Sequence, residues 1–508
     1  MQPERIHLPE ENLDPTDWEA TRALGHRMVD DMVDYLQTVR DRAAWRHAPD
    51  EVRSHFTAPL PLEPTPAEDI YDEFLEYVMP YPVGNVHPRF WGWVFGTGTV
   101  LGAFAELLAG VMNVGASGGL AYHSASYVEK QVIDWFKEAL GFTADASGLL
   151  TSGCSASNLI GLGVARNVIS SEEARREGVA AARRRMTLYA SQEIHSSVEK
   201  AIELLGLGSG ALRLLPVNDA YRIELAALRA AIARDRRDGH QPICLVGAAG
   251  TTNTGAIDDL TALADIAEQE GLWYHVDGAF GAWAALAPES GHLVAGMERA
   301  DSLAFDLHKW MYMPYDIGCI LVRDEAHLAS SFSVAPAYLE HGQGQRGLTG
   351  SDLPWFGSYG LQLSRGFRAL KAWMSLKEHG MRKYGRLIQQ NIDQARYLAR
   401  LVEQAPELEL AAPVTLNVVC FRYTAPGVDD RALNGLNKGI EVELQEREIA
   451  VTSGTTLGGH YVLHLAHCNH RTRLDDFDVL VREVIGIGKE LAHAILPESR
   501  ARNGASDC

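Results

Sequence analysis

The chain has 508 residues, 46% of them hydrophobic, so it can bury a large core and form more than one structural region. Its formal net charge of −20 at pH 7 argues against nucleic acid and against an anionic membrane surface as partners. Six widely spaced cysteines without a Cys-x-x-Cys pair are typical of a reduced, cytoplasmic protein that has no zinc ribbon and no disulfide framework. The first residues lack a basic stretch followed by an apolar one, so we expect no signal peptide. We also expect no metal site.

Residues 1–90 are expected to form an N-terminal helical and extended segment. Within it, apolar residues recur at helical spacing from 16 to 42, and either Thr16 or Asp17 can cap that helix. The helix could pack on its own domain or contact a second subunit. The aromatic cluster at residues 85–93, which contains Trp91 and Trp93, could be core or could line a pocket.

The stretch from Phe90 to Tyr122 carries one charged residue, Glu106, and could be read as a membrane span. Its many glycines and its central charge favour a buried helix with glycine-rich flanks over a helix exposed to lipid. We therefore predict no membrane span.

Short apolar runs alternate with helix-patterned segments from residue 129 to residue 322. The runs are 149–150, 187–190, 212–215, 243–248, 272–276, 302–305 and 318–322. This alternation predicts an α/β fold with a mostly parallel, seven-stranded sheet, whose ligands bind at the carboxyl ends of the strands. We assign residues 91–386 to this large domain and residues 387–508 to a smaller α+β domain.

Small residues fill the segment 151–158, just before a helix predicted from Leu159 to Asn167. They could let backbone N–H groups approach a phosphate at the helix start, or they could form an ordinary cap.

Lys309 stands apart from the other lysines because it lies between the apolar run 302–305 and the aromatic Trp310. The others occupy polar, helix-patterned or loop surroundings. Desolvation is expected to lower the pKa of Lys309 and free its amine as a nucleophile. Taken alone, such a lysine is more often a surface residue than a catalytic one.

Three further polar residues follow strand-like runs. Asp277 could cap the next helix or pair with a buried cation, and it should emerge on a strand next to that of Lys309. His195 could begin a helix or act in catalysis. Thr252, in Gly-Thr-Thr, could bind a ligand or close a turn.

These motifs occur in one order: a glycine-rich helix start, a strand-end histidine, Gly-Thr-Thr, His-Val-Asp-Gly-Ala and His-Lys-Trp. Over residues 20–490 the chain resembles the group II amino-acid decarboxylases that depend on pyridoxal phosphate, in their aromatic-amino-acid and tyrosine decarboxylase-like branch. Trp310 favours that branch, because glutamate decarboxylases usually carry methionine after the lysine. The resemblance implies the type I fold of these enzymes, cytoplasmic location and a homodimer with sites near the subunit interface.

The resemblance also implies roles for individual residues. Lys309 matches the lysine that bonds to pyridoxal phosphate, and Asp277 matches the aspartate paired with the pyridine nitrogen. Around the ring, Ala279 lies on one face, His195 stacks on the other and Thr252 lies nearby. The remaining cofactor-binding positions are Cys154, Ser155, Asp306 and His308. Asp306 stands where animal members have asparagine.

For catalysis, Tyr338 matches the tyrosine of a mobile loop that returns a proton to Cα, with His195 as a possible relay. The substrate-binding candidates are Trp91, Trp93, His195 and Arg365. The implied activity is decarboxylation of an L-amino acid, most readily tyrosine, tryptophan or their hydroxylated forms, and Ser364 favours a phenol. Two alternatives stay open: an oxygen-dependent aromatic aldehyde synthase, and a pyridoxal-phosphate-binding protein without turnover.

Overall fold

The computed structural model describes residues 11–117, 124–170, 172–333 and 355–503. The chain divides into two compact units, the first formed by Met1–Arg42 with His47–Pro82 and the second by Ala43–Arg46 with Val83–Cys508. Within the described residues, no helix combines the length and the apolar character that crossing a membrane requires.

The first unit is helical. Its helices are α1 (Trp18–Gln37), α2 (Asp50–His55) and α3 (Ala67–Glu73), and α3 continues into a π-helical turn, Phe74–Val78. Asp17 caps α1 by accepting hydrogen bonds from the N–H groups of Glu19 and Ala20, which settles the choice between Thr16 and Asp17. The hydroxyl of Tyr71 donates to Asp31 at 2.9 Å and ties α3 to α1.

The second unit contains the predicted seven-stranded sheet. Its strands are β1 (Ser147–Thr151), β2 (Met186–Ser191), β3 (Leu212–Leu215), β4 (Gln241–Ala248), β5 (Trp273–Asp277), β6 (Ser302–Asp306) and β7 (Gly318–Val322). Their order is β1-β7-β6-β5-β4-β2-β3. Only β7 runs against its neighbours, β1 and β6, and the other pairs are parallel. Each apolar run of the sequence is therefore a strand, and the predicted sheet is confirmed.

The helices of this region are α4 (Val100–Met112), α5 (Ser124–Ala139), α6 (Cys154–Ile169), α7 (Glu172–Glu177), α8 (Ser196–Leu204), α9 (Leu225–Arg237), α10 (Leu260–Glu270), α11 (Glu325–Phe332) and α12 (Ala369–His379). Of these, α5, α6, α9, α10 and α11 pack directly on the strands. Most strand residues are buried, as their continuous apolar runs require. The prediction that α6 begins at Leu159 is wrong. The N–H groups of Ala156 and Ser157 bond to the carbonyl of Gly153, so the small residues form the first turn.

The prediction that the apolar stretch around Glu106 is a buried helix is also wrong in part. Gly102 and Ala105 of α4 are buried, but Leu107, Val111 and Met112 are exposed, Val111 to 80%. An apolar composition predicted the helix, but it did not reveal that one face is left uncovered by the described residues.

The smaller region packs a second, antiparallel sheet against helices. Its elements are α13 (Met381–Gln404), β8 (Leu408–Leu410), β9 (Val418–Tyr423), α14 (Asp430–Glu446), β10 (Ser453–Leu457), β11 (His460–Ala466) and α15 (Leu474–Asn503), with strand order β10-β11-β9-β8. An α+β region was predicted here. The proposed boundaries at 90/91 and 386/387 stay predictions, and α13 runs without a break across the second of them.

Candidate active site

Two buried carboxylates mark the carboxyl edge of the large sheet. Asp277 is the last residue of β5 and Asp306 the last of β6, and these strands are parallel neighbours. The two residues are 5% and 2% exposed. Lys309 follows β6 by three residues, so the prediction that Asp277 and Lys309 emerge from adjacent strands is confirmed.

Lys309 forms an ion pair with Asp306, whose Oδ2 lies 3.0 Å from the lysine Nζ. Burial alone would lower the pKa of Lys309, but the Asp306 carboxylate outweighs it, and the net pKa is raised above that of an ordinary lysine. The predicted lowering is therefore wrong, because the apolar run indicates burial but does not reveal the charged partner. The amine is held as an ammonium until that pair is broken.

Lysine burial is also not restricted to Lys309. Lys371 on α12 is 2% exposed, pairs with Glu106 and donates to the carbonyl of Pro314 at 3.2 Å. Desolvation lowers the pKa of Lys371. Lys371 was predicted to lie, like the other lysines, in polar, helix-patterned or loop surroundings with its ammonium in solvent. It does lie in a helix, but the solvated ammonium is wrong because α12 packs this face against α4.

Asp277 is held by three donors. Its Oδ2 accepts from Asn158 Nδ2 at 2.9 Å, and its Oδ1 accepts from the Ala279 N–H at 3.1 Å and from the Cys154 thiol at 3.5 Å. Burial and the nearby Asp277 and Asp306 carboxylates raise the pKa of Cys154, so its thiol stays protonated and donates. The Cys154 side chain therefore meets Asp277, and only its backbone N–H remains for a phosphate.

His195 precedes α8 and caps it. Its Nδ1 accepts from the Ser197 N–H at 3.2 Å and lies 2.8 Å from the Ser197 hydroxyl. Although the residue is exposed on the single chain, desolvation lowers the pKa of the ring, and Lys309 adds to that lowering. The Asp277 and Asp306 carboxylates act in the opposite direction. His195 is thus close enough to Lys309, Asp277 and Asp306 for their charges to change the pKa of its ring.

These residues fit pyridoxal phosphate. The cofactor needs an amine for its aldehyde, a carboxylate for its ring nitrogen and N–H donors for its phosphate. Lys309 and Asp277 supply the first two. The start of α6 supplies the third. Its cap residue, Gly153, has no side chain that could bond to the first N–H groups of the helix, and Ser155 in the first turn is exposed. Asp306 Oδ1 is buried and has no hydrogen-bond partner among the described residues.

The loop that carries Lys309 is supported from two sides. The His308 ring lies 4.3 Å from that of Tyr315, and its Nδ1 accepts from the Ile317 N–H at 3.2 Å. On the other side, Gly96 lies so close that a Cβ there would be 2.1 Å from the His308 carbonyl oxygen. The lysine loop therefore depends on a residue without a side chain.

The remaining ring-contact candidates also lie at this edge. Ala279 follows Asp277 and is partly buried, while the Thr252 side chain is exposed. The Thr252 carbonyl accepts from His464 Nε2 at 2.9 Å, and the adjacent Asn253 accepts from Thr455 at 3.0 Å. The smaller region thus holds the Gly-Thr-Thr loop.

The structure does not bring every substrate candidate to this edge. Trp91 is 0% exposed and stacks on Phe477 in the core of the smaller region, so its ring has no open face for a substrate. Arg365 is buried, pairs with Glu129 and donates to the carbonyls of Leu150 at 2.7 Å and Ala116 at 2.8 Å. Their substrate contacts gain no support from this geometry.

Trp93, in contrast, is 53% exposed, and its ring lies 5.8 Å from that of Phe95. The Phe95 ring in turn lies 5.7 Å from that of Tyr315, and the Tyr315 ring contacts His308. Tyr338 and the glycine-rich segment after it lie outside the described residues.

Sequence reasoning missed Asn158 and Ser197. Asn158 follows Cys154 by four positions, which places both on one face of a helix, but the predicted helix started too late to show this. Ser197 lies two residues after His195, a spacing at which a capping side chain meets a backbone N–H. Across the described residues, no group of three or more His, Cys, Asp or Glu side chains is arranged to hold a metal ion.

Comparison with known proteins identifies the class. The pyridoxal-dependent decarboxylase conserved domain matches residues 49–424. The chain therefore belongs to the pyridoxal-dependent decarboxylase family, and its cofactor is pyridoxal phosphate.

Individual relatives agree over nearly the whole length. An aromatic-L-amino-acid decarboxylase of Bacillus atrophaeus is 31% identical over 93% of this chain and 96% of its own. A phenylacetaldehyde synthase of Petunia hybrida is 27% identical over 89% and 90%. The crystal structure of Catharanthus roseus tryptophan decarboxylase in complex with L-tryptophan matches 94% of this chain and 100% of its own, with a TM-score of 0.83 and 25% identity. The protein is thus a pyridoxal-phosphate-dependent amino-acid decarboxylase.

Proposed function

We propose that the protein decarboxylates aromatic L-amino acids, most readily tyrosine, tryptophan or their hydroxylated forms, to the amine and carbon dioxide. The observation that carries this proposal is the 31% identity, over 93% of the chain, with an aromatic-L-amino-acid decarboxylase. The aromatic side chains of Trp93, Phe95 and Tyr315, which run from an exposed ring towards the lysine loop, are compatible with an aromatic substrate.

The side chains divide the work as follows. When bound, the cofactor supplies an electron sink for the electron pair that remains as carbon dioxide leaves. Lys309 would hold the cofactor covalently, and the fixed Asp277 carboxylate would keep its ring nitrogen protonated. Ala279 and His195 would contact the two faces of the ring, and Thr252 would lie beside it. Tyr338 returns a proton to Cα of the product.

The phosphate is proposed to bind at the start of α6, by the backbone at Cys154 and by Ser155. Asp306 and His308 hold the lysine loop at the same end of the site, where Asp306 pairs with Lys309.

A product panel tests the activity. The cofactor-loaded protein is incubated in air with tyrosine, tryptophan, 3,4-dihydroxyphenylalanine, phenylalanine, histidine and glutamate, and products are identified by mass spectrometry. We expect an amine from at least one aromatic member and none from glutamate. Product from glutamate alone would overturn the aromatic assignment. Lys309→Ala should lose the visible absorption of lysine-bound cofactor together with all product.

An oxygen-dependent aldehyde synthase is the second candidate, because a phenylacetaldehyde synthase is among the relatives. The same panel separates the two activities, since the synthase forms an aldehyde and releases hydrogen peroxide. If Tyr338 is the proton donor, Tyr338→Phe should turn the product from amine towards aldehyde. A Tyr338→Phe variant that forms only amine at the parental rate would rule out this role.

We further propose that the protein is a cytoplasmic homodimer. The free thiols of Cys154, Cys244, Cys319, Cys420 and Cys468 suit a reducing compartment. The exposed apolar residues of α4, which include Leu107, Val111 and Met112, suit a subunit interface. The molar mass in solution, measured by light scattering on the cofactor-loaded protein, should be twice the chain mass of 55.7 kDa.

A further inference from the structure

A chain of buried polar side chains connects Asp277 to His195. Asn158 Nδ2 donates to Asp277 Oδ2 at 2.9 Å and also to Ser197 Oγ at 3.0 Å. Ser197 Oγ lies 2.8 Å from Nδ1 of His195. Asn158 and Ser197 are 0% and 4% exposed, so water does not compete for these contacts. The Asn158 amide thus links Asp277, the proposed partner of the cofactor's ring nitrogen, to His195, which is proposed to stack on the cofactor ring.

The chemistry of Asp277 fixes the direction of every bond. An ionised carboxylate only accepts, so the amide nitrogen of Asn158 must face it and the amide oxygen must face His275. His275 Nε2 lies 2.9 Å from that oxygen and therefore carries the ring proton. Its Nδ1 then accepts from the Ser302 hydroxyl at 2.8 Å, and Ser302 accepts from Trp273 at 2.8 Å. Burial lowers the pKa of His275 to about 4, which agrees with a ring holding a single proton.

The same direction continues to His195. The Ser197 N–H donates to Nδ1 of His195 at 3.2 Å, so this nitrogen is an acceptor. Ser197 Oγ, which accepts from Asn158, lies 2.8 Å from the same nitrogen and therefore directs its hydroxyl proton to it. Nδ1 therefore receives two donors, and the proton of His195 is on Nε2.

Charge reinforces this state. A second proton on Nδ1 would face the fixed N–H of Ser197 and the positive end of the α8 dipole. Lys309 and Lys200 also disfavour an imidazolium, while Asp277 and Asp306 favour it. Desolvation and the two lysines outweigh the two carboxylates, so the net pKa of His195 is lowered.

We propose that Asn158 is a positioning residue that orients the Asp277 carboxylate and, through Ser197, holds His195 as the neutral tautomer with its proton on Nε2. His195 then meets the site as a hydrogen-bond donor, and it does not take up a proton. This inference rests on the proposed function, which places Asp277 at the ring nitrogen and His195 at the ring face. It argues against the proton-relay role that the family resemblance suggested for His195.

The first test reads the tautomer directly, without substrate. The full chain, with and without cofactor, is labelled with ¹⁵N-histidine, and the His195 signals are assigned by their loss in His195→Gln. We expect His195 to be protonated on Nε2 alone from pH about 8 to pH about 6, below the ordinary histidine pKa. A proton on Nδ1, or an imidazolium at pH about 6, would overturn the proposal.

The second test changes the link. Asn158→Leu keeps the bulk but removes both N–H donors, so the dissociation constant for pyridoxal phosphate should rise at least about tenfold. The Nδ1 signal of His195 should also move towards that of an unbonded ring nitrogen, because the Ser197 proton is no longer directed. Ser197→Ala should move the Nδ1 signal in the same way, and Ser197→Thr, which keeps the hydroxyl, should restore it.

Asn167→Leu is the matched control, since Asn167 lies on the same helix but contacts Arg166 and Ser331. It should change neither the dissociation constant nor the His195 signals. Parental values of both in Asn158→Leu would refute the positioning role. Because no substrate is used, a failure of the aromatic assignment leaves both tests interpretable, and the serine pair decides the His195 arm even if Asn158→Leu does not fold.

Discussion

At the scale of single residues, the Asp306–Lys309 pair sets the pH at which the lysine amine can react with the cofactor. Only the neutral amine attacks an aldehyde, and the carboxylate raises the pKa of Lys309, so capture should accelerate as pH rises. Asp306→Asn removes the charge that raises this pKa most, so the pKa of Lys309 should fall. We expect covalent capture at pH about 7 to accelerate at least about tenfold, because lowering the lysine pKa by about 1 makes the neutral amine about ten times more abundant.

The measurement is the growth of visible absorption after cofactor-free protein is mixed with pyridoxal phosphate over a range of pH. Asp134→Asn is the control, because Asp134 also pairs with lysines, Lys130 and Lys137, but on the outer face of α5. It should leave the rate unchanged. An Asp306→Asn profile that overlays the parental one would show that the ion pair does not limit capture.

The sequence predicted which polar residues gather at the site better than it predicted their state. Asp277, Asp306 and Lys309 all follow apolar runs, and parallel strands bring such positions to one edge. Whether the pKa of Lys309 rises or falls depends on its 3.0 Å contact with Asp306, which composition and spacing do not reveal. Asn158 was missed for a related reason, since its importance comes from the side chains it contacts and not from its own type.

At the scale of elements, the segment around Gly96 positions the lysine loop. A Cβ at residue 96 would lie 2.1 Å from the His308 carbonyl oxygen and 2.3 Å from that of Lys309, both of them backbone atoms. Gly96→Ala must therefore push the two segments apart. We expect weaker cofactor binding, by about tenfold or more, because a displaced reactive group loses much of its positioning.

Titration with pyridoxal phosphate measures this effect, and circular dichroism reports whether the fold is kept. Gly435→Ala is the control: Gly435 lies in α14, a Cβ there would meet nothing within 4 Å, and helical alanine is favoured over glycine by about 0.5–1 kcal/mol. That variant should bind the cofactor normally. Normal cofactor binding in Gly96→Ala would mean that the loops separate without moving Lys309.

The elements themselves were predictable where local pattern decides them. The seven strands are short apolar runs flanked by polar segments, and α10 lies between Asp259 and Gly271, which are strong start and stop residues for a helix. The start of α6 was not predictable, because small polar residues suit both a loop and a first helical turn. The exposed face of α4 was hidden for another reason: apolar residues there resemble core residues until their neighbours are known.

At the scale of the whole molecule, strand order depends on contacts between distant parts of the chain. β1 lies beside β7, which is separated from it by well over a hundred residues, and nothing local in either strand specifies that pairing. The buried pair of Arg365 and Glu129 helps to fix this edge. Arg365 donates to the Leu150 carbonyl of β1 and to Ala116, while Glu129 of α5 accepts from the Leu150 N–H at 3.1 Å.

This arrangement predicts that Arg365 acts on stability more than on substrate binding. Arg365→Met and Glu129→Met each leave an unpaired buried charge, so each should lower the free energy of unfolding by about 3–5 kcal/mol. The double variant should lose much less than the sum, because it buries no charge. Urea denaturation of the three variants, alongside the Michaelis constant of the folded single variants, provides the comparison. If Arg365 contacts the substrate instead, Arg365→Met will raise the Michaelis constant at unchanged stability, and the two single effects will be additive.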